Sequence, residues 1–398
     1  MKFTPIEYLM MDIAARHSQD KANWEDRLAW FKENQDNLDS LVNSADEPAI
    51  FIAAVKAYRD TLLGIPSGYP VSLDCSNSGM QILSILTGDR KAASLCNVIP
   101  HEGNRQDGYT VIYGEMLRQL GQSATISRED VKDAIMTSLY GSEEEPRKVF
   151  GEGLQLEVFY KTMEEMVPLC WELNKNFLEM WDETKYEYSS VMPDNFHSIW
   201  PIIDSVDEVI HFNNTPYTVT TKVNAPKKKG RFLSANTTHE VESFIVRELI
   251  RRCAMSPYLI TRTNKLIKDG FIVNKTEEDD DMVKTLWDHY TKSGMLSARI
   301  IPHLGTSNIH IVDESKILEL LSTIPKEQFD VMTIHDCVRV LPNYAKHAID
   351  VFRQLYVELA ESEMLSYLLT QLVGNQIQIR KGCYSLSKDI KEATYIIS

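Results

Sequence analysis

Residues 127–141 read Ser-Arg-Glu-Asp-Val-Lys-Asp-Ala-Ile-Met-Thr-Ser-Leu-Tyr-Gly, and this stretch carries the most specific pattern in the chain. Ser127 followed by Asp130 is typical of a helix start, with an N-cap and an acid at the third helical position. Four residues then recur at every fourth position and share one broad face of the predicted helix. They are Arg128, Lys132, Met136 and Tyr140.

This helix face has the chemistry of a nucleotide site. Its two cations lie near the N-terminal end, where charge and unpaired amide groups attract phosphate. Tyr140 lies about 18 Å from Arg128 along the axis, at 1.5 Å per residue. That distance places its ring and hydroxyl near the sugar and base of a nucleotide whose phosphates bind at the other end. Gly141 then permits a tight turn and a close approach of a template base. An ordinary amphipathic helix with surface Arg and Lys is the alternative.

Two aspartates follow short apolar strands. Asp74 comes after the predicted strand 71–73, and Asp336 lies with His335 at the turn of a hairpin predicted over residues 330–342. Carboxylates on neighbouring strands can hold two Mg²⁺ ions about 3.5–4 Å apart, one activating an attacking oxygen and one stabilising a leaving pyrophosphate. The pair alone is not specific, because the chain has 57 acidic residues.

Length and composition set the broad class. A chain of 398 residues predicts two or more packed subdomains. Six dispersed cysteines without a C-x-x-C pair, and no signal peptide or long apolar run, predict a soluble intracellular protein. The net charge of -15 alone favours a metabolic enzyme, although a nucleic-acid enzyme needs positive potential only along its groove. Basic residues cluster at 227–231 and 247–252, and the acidic run 277–281 predicts a surface loop.

The order of predicted elements follows from hydrophobic spacing. Residues 5–63 have helical periodicity, and a Gly/Pro/Ser cluster at 64–70 then leads into the strand that ends at Asp74. Helices are predicted again from about Gly79 and over 109–181. Residues 189–223 are rich in Pro, Asn and β-branched side chains, which predicts strands and loops.

Together these motifs resemble the single-subunit RNA polymerases of bacteriophages and mitochondria. The segment Asp74-Cys75-Ser76-Asn77-Ser78-Gly79-Met80-Gln81 is similar to the family's first catalytic motif. Arg128, Lys132, Tyr140 and Gly141 match the second motif, and His335-Asp336 matches the third, in the family's order. The resemblance extends to further segments along the chain: Asp20-Lys21 with Arg27 and Phe31, Asn97 and Pro100 with Asp107 and Tyr109, and Pro193-Asp194-x-Phe196.

The resemblance implies an α+β fold of the right-hand polymerase type, with an antiparallel palm sheet and mainly helical fingers. Residues 1–63 would form a helical lead-in, 64–110 the palm with the first motif, and 111–325 the fingers. Residues 326–398 would complete the palm and end in an apolar foot, Tyr395–Ser398, near the active site.

The implied activity is that of a DNA-dependent RNA polymerase, which adds ribonucleotides to an RNA 3′ end on a DNA template. Two Mg²⁺ ions would be held by Asp74, Asp336 and the backbone carbonyl of Cys75. The triphosphate would be neutralised by Arg128, Lys132 and Lys21. Tyr140 and His335 would shape the nucleotide site and help select ribose, and Met136, Gly141 and Tyr109 would complete it.

Two other functions remain open from the sequence. One is a DNA polymerase or a primase-like enzyme, because family A DNA polymerases share the R-x3-K-x7-Y-G frame. RNA synthesis is favoured because Met136 replaces an aromatic residue, Gly79-x-Gln81 replaces a polar-Ile-Glu gate, and Cys337 replaces a glutamate. A non-catalytic DNA-binding or scaffold protein is the third possibility, but it would not need the second motif in register with both aspartates.

The chain also departs from the family pattern. It lacks the upstream Thr/Asp-x-x-Gly-Arg element and a large N-terminal domain, since its Gly230-Arg231 pair lies on the wrong side of both early motifs. The acidic segment 143–146 puts the continuation of the fingers helix in doubt. We therefore expect a split polymerase of a phage, in the cytoplasm of an infected bacterium. A smaller second subunit would contact the lead-in at residues such as Trp30, Phe31 and Leu38.

Overall fold

The computed structural model describes residues 3–101, 104–121 and 125–398. These residues form helices and small antiparallel sheets, which confirms an α+β fold. The α-helices of the described residues are α1 Pro5–Ala14, α2 Trp24–Asn34, α3 Pro48–Leu62, α4 Ser78–Thr87, α5 Arg90–Leu95, α6 Gly108–Leu120, α7 Arg128–Leu139, α8 Glu144–Phe150, α9 Leu154–Met166, α10 Pro168–Glu179, α11 Phe232–Cys253, α12 Pro257–Asp269, α13 Glu277–Ser293, α14 Glu314–Ser322, α15 Ala345–Glu361, α16 Met364–Val373 and α17 Leu386–Glu392. The strands are β1 Val71–Leu73, β2 Glu187–Val191, β3 His197–Pro201, β4 Ile203–Phe212, β5 Thr215–Asn224, β6 Met332–Ile334 and β7 Cys337–Val340. Shorter helical turns are a π turn, Ala15–Gln19, and 3₁₀ turns at Leu38–Ser44, Ala298–His303, Ile309–Ile311 and Pro342–Tyr344.

The sheet that positions the candidate site has the strand order β1-β7-β6, antiparallel throughout. Leu73 pairs with Val338, and Ile334 pairs with Cys337 across a two-residue turn. The predicted strand and the predicted hairpin are both confirmed. Because Asp74 directly follows β1 and Asp336 directly precedes β7, the register carries both aspartates to the same end of the sheet.

The helical predictions are confirmed for the lead-in, as α1 to α3, and for residues 109–181, as α6 to α10. Helix α7 begins with the predicted capping box: the Ser127 side chain accepts from the Asp130 backbone N–H, and the Asp130 carboxylate accepts from the Ser127 N–H at 2.9 Å. The helix ends at Leu139, and α8 begins separately at Glu144. The doubted continuation of the helix is thus replaced by a turn at Tyr140 and Gly141.

The prediction of a surface loop at residues 277–281 is wrong. This run forms the first turn of α13, with Thr276 as N-cap and Asp279 completing a capping box. Negative side chains are favourable at this end of a helix, because it carries partial positive charge and unpaired N–H groups. His303 also contacts the Asp279 carboxylate at 2.6 Å.

The basic cluster 247–252 does not present a positive surface. Arg247 forms two hydrogen bonds with Asp194, at 2.7 and 2.9 Å, and Arg251 contacts the same carboxylate at 3.2 Å. Arg252 is fully buried and pairs with Glu358 at 2.6 Å. These guanidiniums form internal ion pairs that connect α11 to the β2–β3 turn and to α15.

Two hydrophobic cores lie in the described residues. The larger joins apolar side chains of the lead-in, of the β1-β7-β6 sheet, of the helices up to α11, and of α15 to α17. The smaller is confined to residues 255–324. The strands predicted over 189–223 are confirmed as two hairpins, β2–β3 and β4–β5, the second exposed along nearly its whole length.

Two lead-in side chains expected at a subunit interface lie inside the chain. Phe31 is fully buried and Leu38 is 2% exposed, so neither can contact a partner. Trp30 is half-buried, with its ring centroid 4.8 Å from that of His17. In the described residues, no helix is both long and apolar enough to cross a membrane.

Candidate active site

The C-terminal segment, residues 395–398, packs against the end of the sheet that bears both aspartates. The Ser398 N–H donates to the Asp74 carbonyl at 2.9 Å, and the Asp74 N–H donates to the Ser398 carbonyl at 3.3 Å. Residues 395–398 are all buried. The terminus therefore lies beside Asp74, as the predicted apolar foot requires.

Gln81 holds this segment in place from α4. Its side chain is fully buried and donates to the carbonyls of Cys96 and Ile396, both at 2.9 Å. Its carbonyl oxygen accepts from the Tyr356 hydroxyl at 3.1 Å. Both the oxygen and the nitrogen of the Gln81 amide thus have partners, as burial demands. Gln81 serves the geometry of the site and is not placed to contact a ligand.

Two adjoining cavities, of about 210 and 200 Å³, lie in front of the aspartates. The first, the Tyr140 cavity, is lined by Asp336, Lys132, Met136 and Tyr140, among others. The second, the Arg105 cavity, is lined by three acids and four cations: Asp20, Asp74, Asp107, Lys21, Arg105, Arg128 and Lys132. Both share the backbone turn after Asp74 and the side chains of Tyr109 and Lys132. The helix face predicted from its four-residue spacing therefore runs along both.

The two aspartates are electrostatically coupled. Asp74 is open to solvent on its cavity side, but the surrounding protein desolvates it, and the Asp336 carboxylate adds repulsion. Together these effects raise the pKa of Asp74 to about 6. Burial also raises the pKa of Asp336, with further repulsion from Glu242. A cation bound between them would relieve this repulsion.

Tyr140 lies at the end of α7, directly over Gly79. A Cβ at Gly79 would fall 3.0 Å from Tyr140 Cζ and closer still to the hydroxyl oxygen. His239 also packs against the Tyr140 ring, with ring centroids 5.0 Å apart. Packing against the tyrosine of the second motif therefore explains the glycine of the first motif. The spacing of residues within either motif does not reveal this contact.

The two cations of α7 have different surroundings. Arg128 forms an ion pair with Asp107 at 2.5 Å, and its Nε donates to Thr110 Oγ1 at 2.8 Å. Lys132 has no carboxylate within ion-pair distance among the described residues, and its Nζ lies 5.9 Å from the centre of the Tyr109 ring. Lys132 is thus the cation of this pair whose charge is available to a ligand.

Of the other residues predicted for the site, some line the cavities and some do not. Lys21 lines the Arg105 cavity from the lead-in, and Tyr109 and Cys75 line both cavities. His335 is exposed at the hairpin turn with a φ of 57°, next to Asp336 but outside both linings. Gly141 also lies outside them: its φ is 91°, and a Cβ there would fall 2.7 Å from the Arg231 carbonyl oxygen. Both the positive φ and that contact within the chain require a glycine here.

Two charged residues of the site were not predicted. Glu242 on α11 adjoins Asp336; burial opposes its ionisation, but hydrogen bonds from His239 and Ser78 outweigh this and lower its pKa. Its sequence context offers no signal, because it is one acid on a long helix. Arg105 lies in the Arg105 cavity, two residues before Asp107 in a segment that the family resemblance already included.

The donor set fits Mg²⁺ better than a closed metal site. In the described part of the chain, no three His, Cys, Asp or Glu side chains group together as a metal cluster. Mg²⁺ is commonly bound by one or two carboxylates together with waters and substrate phosphates. Asp74 and Asp336, with the Cys75 carbonyl next in the chain, provide that kind of partial set.

Comparison with known families agrees with this geometry. A family model described as DNA-dependent RNA polymerase matches residues 4–146, which include the first motif and the whole of the α7 pattern. The class of enzyme is therefore DNA-directed RNA polymerase, a nucleotidyltransferase. Residues 4–146 thus match the single-subunit DNA-dependent RNA polymerase family, as predicted from the motifs. The third motif, His335-Asp336, lies outside the matched segment. A search of curated proteins finds no match for the chain.

Proposed function

We propose that this chain is a catalytic subunit that adds ribonucleotides to an RNA 3′ end on a DNA template by two-metal nucleotidyl transfer. The observation that carries the proposal is the convergence of Asp74, Asp336, Lys132 and Tyr140 on two adjoining cavities. Carboxylates, a cation and an aromatic hydroxyl are the groups that position a nucleotide and neutralise its charge in phosphoryl transfer.

In this proposal Asp74, Asp336 and the Cys75 carbonyl hold the metal ions. When bound, Mg²⁺ activates the 3′-oxygen and neutralises charge on the leaving pyrophosphate. The triphosphate lies in the Arg105 cavity, against Lys132 and Lys21. Arg128 contributes there with its charge partly compensated by Asp107.

The sugar and base lie in the Tyr140 cavity. The Tyr140 hydroxyl, held over Gly79, is the ribose-sensing group that lines this cavity. His335, beside Asp336 but outside the cavity lining, is the second candidate for ribose selection. Met136 and Tyr109 form apolar walls of this cavity. Gly141 acts indirectly, by ending α7 so that Tyr140 is held at this position.

The architecture we propose is a right hand. The β1-β7-β6 sheet is the palm, because it bears both aspartates, and residues 111–325 are the fingers, because α7 brings the nucleotide-binding face over that sheet. The small core of residues 255–324 would be an outer part of the fingers.

We also propose a smaller second subunit that supplies the Thr/Asp-x-x-Gly-Arg element. Since Phe31 and Leu38 are buried, its contact lies elsewhere on the lead-in. Large apolar side chains are exposed on α3 and just after it, and such patches often mark interfaces. They are Ile52, Leu62, Leu63 and Ile65, each at least half exposed. Co-purification with mass determination tests this: a monodisperse, fully active monomer of 45.6 kDa contradicts it.

Primer extension on a single-stranded DNA template tests the activity. Wild-type protein is offered ribo- or deoxyribonucleotides with Mg²⁺, with and without the co-purified partner, and Asp74→Asn serves as the inactive control. We expect extension with ribonucleotides that EDTA abolishes. Preferential extension with deoxyribonucleotides would indicate a DNA polymerase, and template binding without extension would indicate a non-catalytic protein.

A further inference from the structure

We propose that the Arg105 guanidinium binds the triphosphate of the incoming nucleotide, an assignment that rests on the nucleotidyl transfer proposed above. Arg105 lies two residues before Asp107, in the chain between α5 and α6. Its side chain lines the same cavity as Asp74, Lys21 and Lys132. The cavity is the one we assign to the phosphates.

The main chain and one end of the side chain are fixed by the lead-in. The Arg105 N–H donates to Asn23 Oδ1 at 2.8 Å, and Nη1 donates to the Asp20 carbonyl at 2.6 Å. These bonds hold the guanidinium at the cavity wall at little further entropic cost on binding. A pre-positioned planar group of this kind suits bidentate recognition of a phosphate.

The guanidinium has donors and charge that the protein does not satisfy. Its Nε is buried and has no hydrogen-bond partner among the described residues. The carboxylates of Asp20, Asp74 and Asp107 attract it electrostatically, but Arg105 forms no ion pair among the described residues. A partly buried cation without a counter-ion is unfavourable. An anion in the cavity would supply the missing counter-charge.

The contrast with Arg128 strengthens the assignment. Arg128 lines the same cavity, but Asp107 and Thr110 already occupy its Nη2 and Nε. The bidentate cation for the phosphates is thus Arg105, while Lys132 supplies a point charge.

A purely structural role is the competing explanation, because the bond to Asp20 also holds the loop that bears Lys21. The test compares Arg105→Ala, Arg105→Gln and Arg105→Lys in the full chain, with its partner subunit if one co-purifies. We measure kcat and KM for ribonucleotides, and inhibition by tripolyphosphate and by a nucleoside monophosphate. Arg118→Ala is the matched control, because Arg118 is an exposed arginine on α6 paired with Glu115.

We expect Arg105→Ala to raise KM for ribonucleotides about 10- to 100-fold, the loss of hydrogen bonds to a charged ligand. Inhibition by tripolyphosphate should weaken by a similar factor, while inhibition by the monophosphate changes less than about twofold on the same scale. Arg105→Lys should recover part of the loss and Arg105→Gln little. Arg118→Ala should behave as wild type.

Either of two results overturns the assignment: unchanged KM and tripolyphosphate inhibition in Arg105→Ala, or an equal loss for triphosphate and monophosphate, which indicates a distorted loop. Calorimetric titration with tripolyphosphate, in the absence of template, separates this inference from the proposed function. A wild-type chain that fails to extend RNA but binds tripolyphosphate through Arg105 contradicts only the function. A wild-type chain that extends RNA and binds through other residues contradicts only the role of Arg105. If Arg105→Ala does not fold, the Gln and Lys variants carry the same comparison.

Discussion

Replacing Gly79 by alanine tests the contact between the first and second motifs. The added Cβ would lie 3.0 Å from Tyr140 Cζ, whereas ordinary contacts lie at 3.4–4 Å. His239 packs against the same ring, with centroids 5.0 Å apart, so a displacement of Tyr140 would also disturb that contact. The substitution should therefore shift the hydroxyl that we assign to ribose selection.

The magnitude follows from two opposing effects. Overpacking by one methyl group costs about 1–3 kcal/mol. Replacing a helical glycine by alanine recovers about 0.5–1 kcal/mol. We expect a net loss of about 1–2 kcal/mol in the free energy of unfolding. The double variant Gly79→Ala/Tyr140→Phe lacks the hydroxyl oxygen, which is the closest atom to the added Cβ. Its loss of unfolding free energy should be smaller than the sum of the two single losses by about 0.5–1.5 kcal/mol.

Denaturant unfolding and the ratio of ribo- to deoxyribonucleotide incorporation measure the outcome. Gly114→Ala is the control, because a Cβ at this α6 glycine would meet no neighbouring group of the described residues within 4 Å. That variant should gain about 0.5–1 kcal/mol. If Gly79→Ala is as stable as the control and keeps the wild-type sugar ratio, the packing of Tyr140 on Gly79 does not position the hydroxyl.

Further variants test the carboxylates, the sugar contact and the buried ion pair. Asp74→Asn and Asp336→Asn should each reduce nucleotide addition by several orders of magnitude and leave template binding intact; substantial residual activity removes that aspartate from the metal site. Tyr140→Phe should raise deoxyribonucleotide incorporation relative to ribonucleotide; an unchanged ratio assigns selection to other groups. The pKa of Asp74 is raised from 3.8 to about 6 on folding, so its ionisation costs stability as pH rises through that range. Without metal, Asp74→Asn should therefore gain stability relative to wild type between about pH 4 and pH 7, by urea unfolding; a constant difference refutes this. Arg252→Leu should cost about 3–5 kcal/mol by stranding Glu358, and a loss below about 1 kcal/mol in the same assay contradicts that account.

The sequence was sufficient to predict a structural feature wherever the interacting residues are close together in the chain. The capping box at Ser127 and Asp130, the strand before Asp74 and the hairpin around Asp336 depend on neighbours within about four residues, and all three are confirmed. The same kind of signal was present at Thr276 and Asp279, where we predicted a loop from charge alone. The net charge of a segment does not show whether it lies at the N-terminus of a helix, whereas the capping pattern does.

The sequence by itself determined the type and order of the elements near the site, the shared face of Lys132 and Tyr140, and the family that residues 4–146 match. Only the tertiary structure decided which charges a ligand can reach. Asp107 forms an ion pair with Arg128, Glu242 on α11 repels Asp336, and Arg105 lines its cavity without a counter-ion among the described residues. Periodicity places a side chain on one face of its own helix. The availability of its charge to a ligand depends on groups that folding brings from distant positions in the chain, and residue spacing in the sequence does not predict how close those groups come.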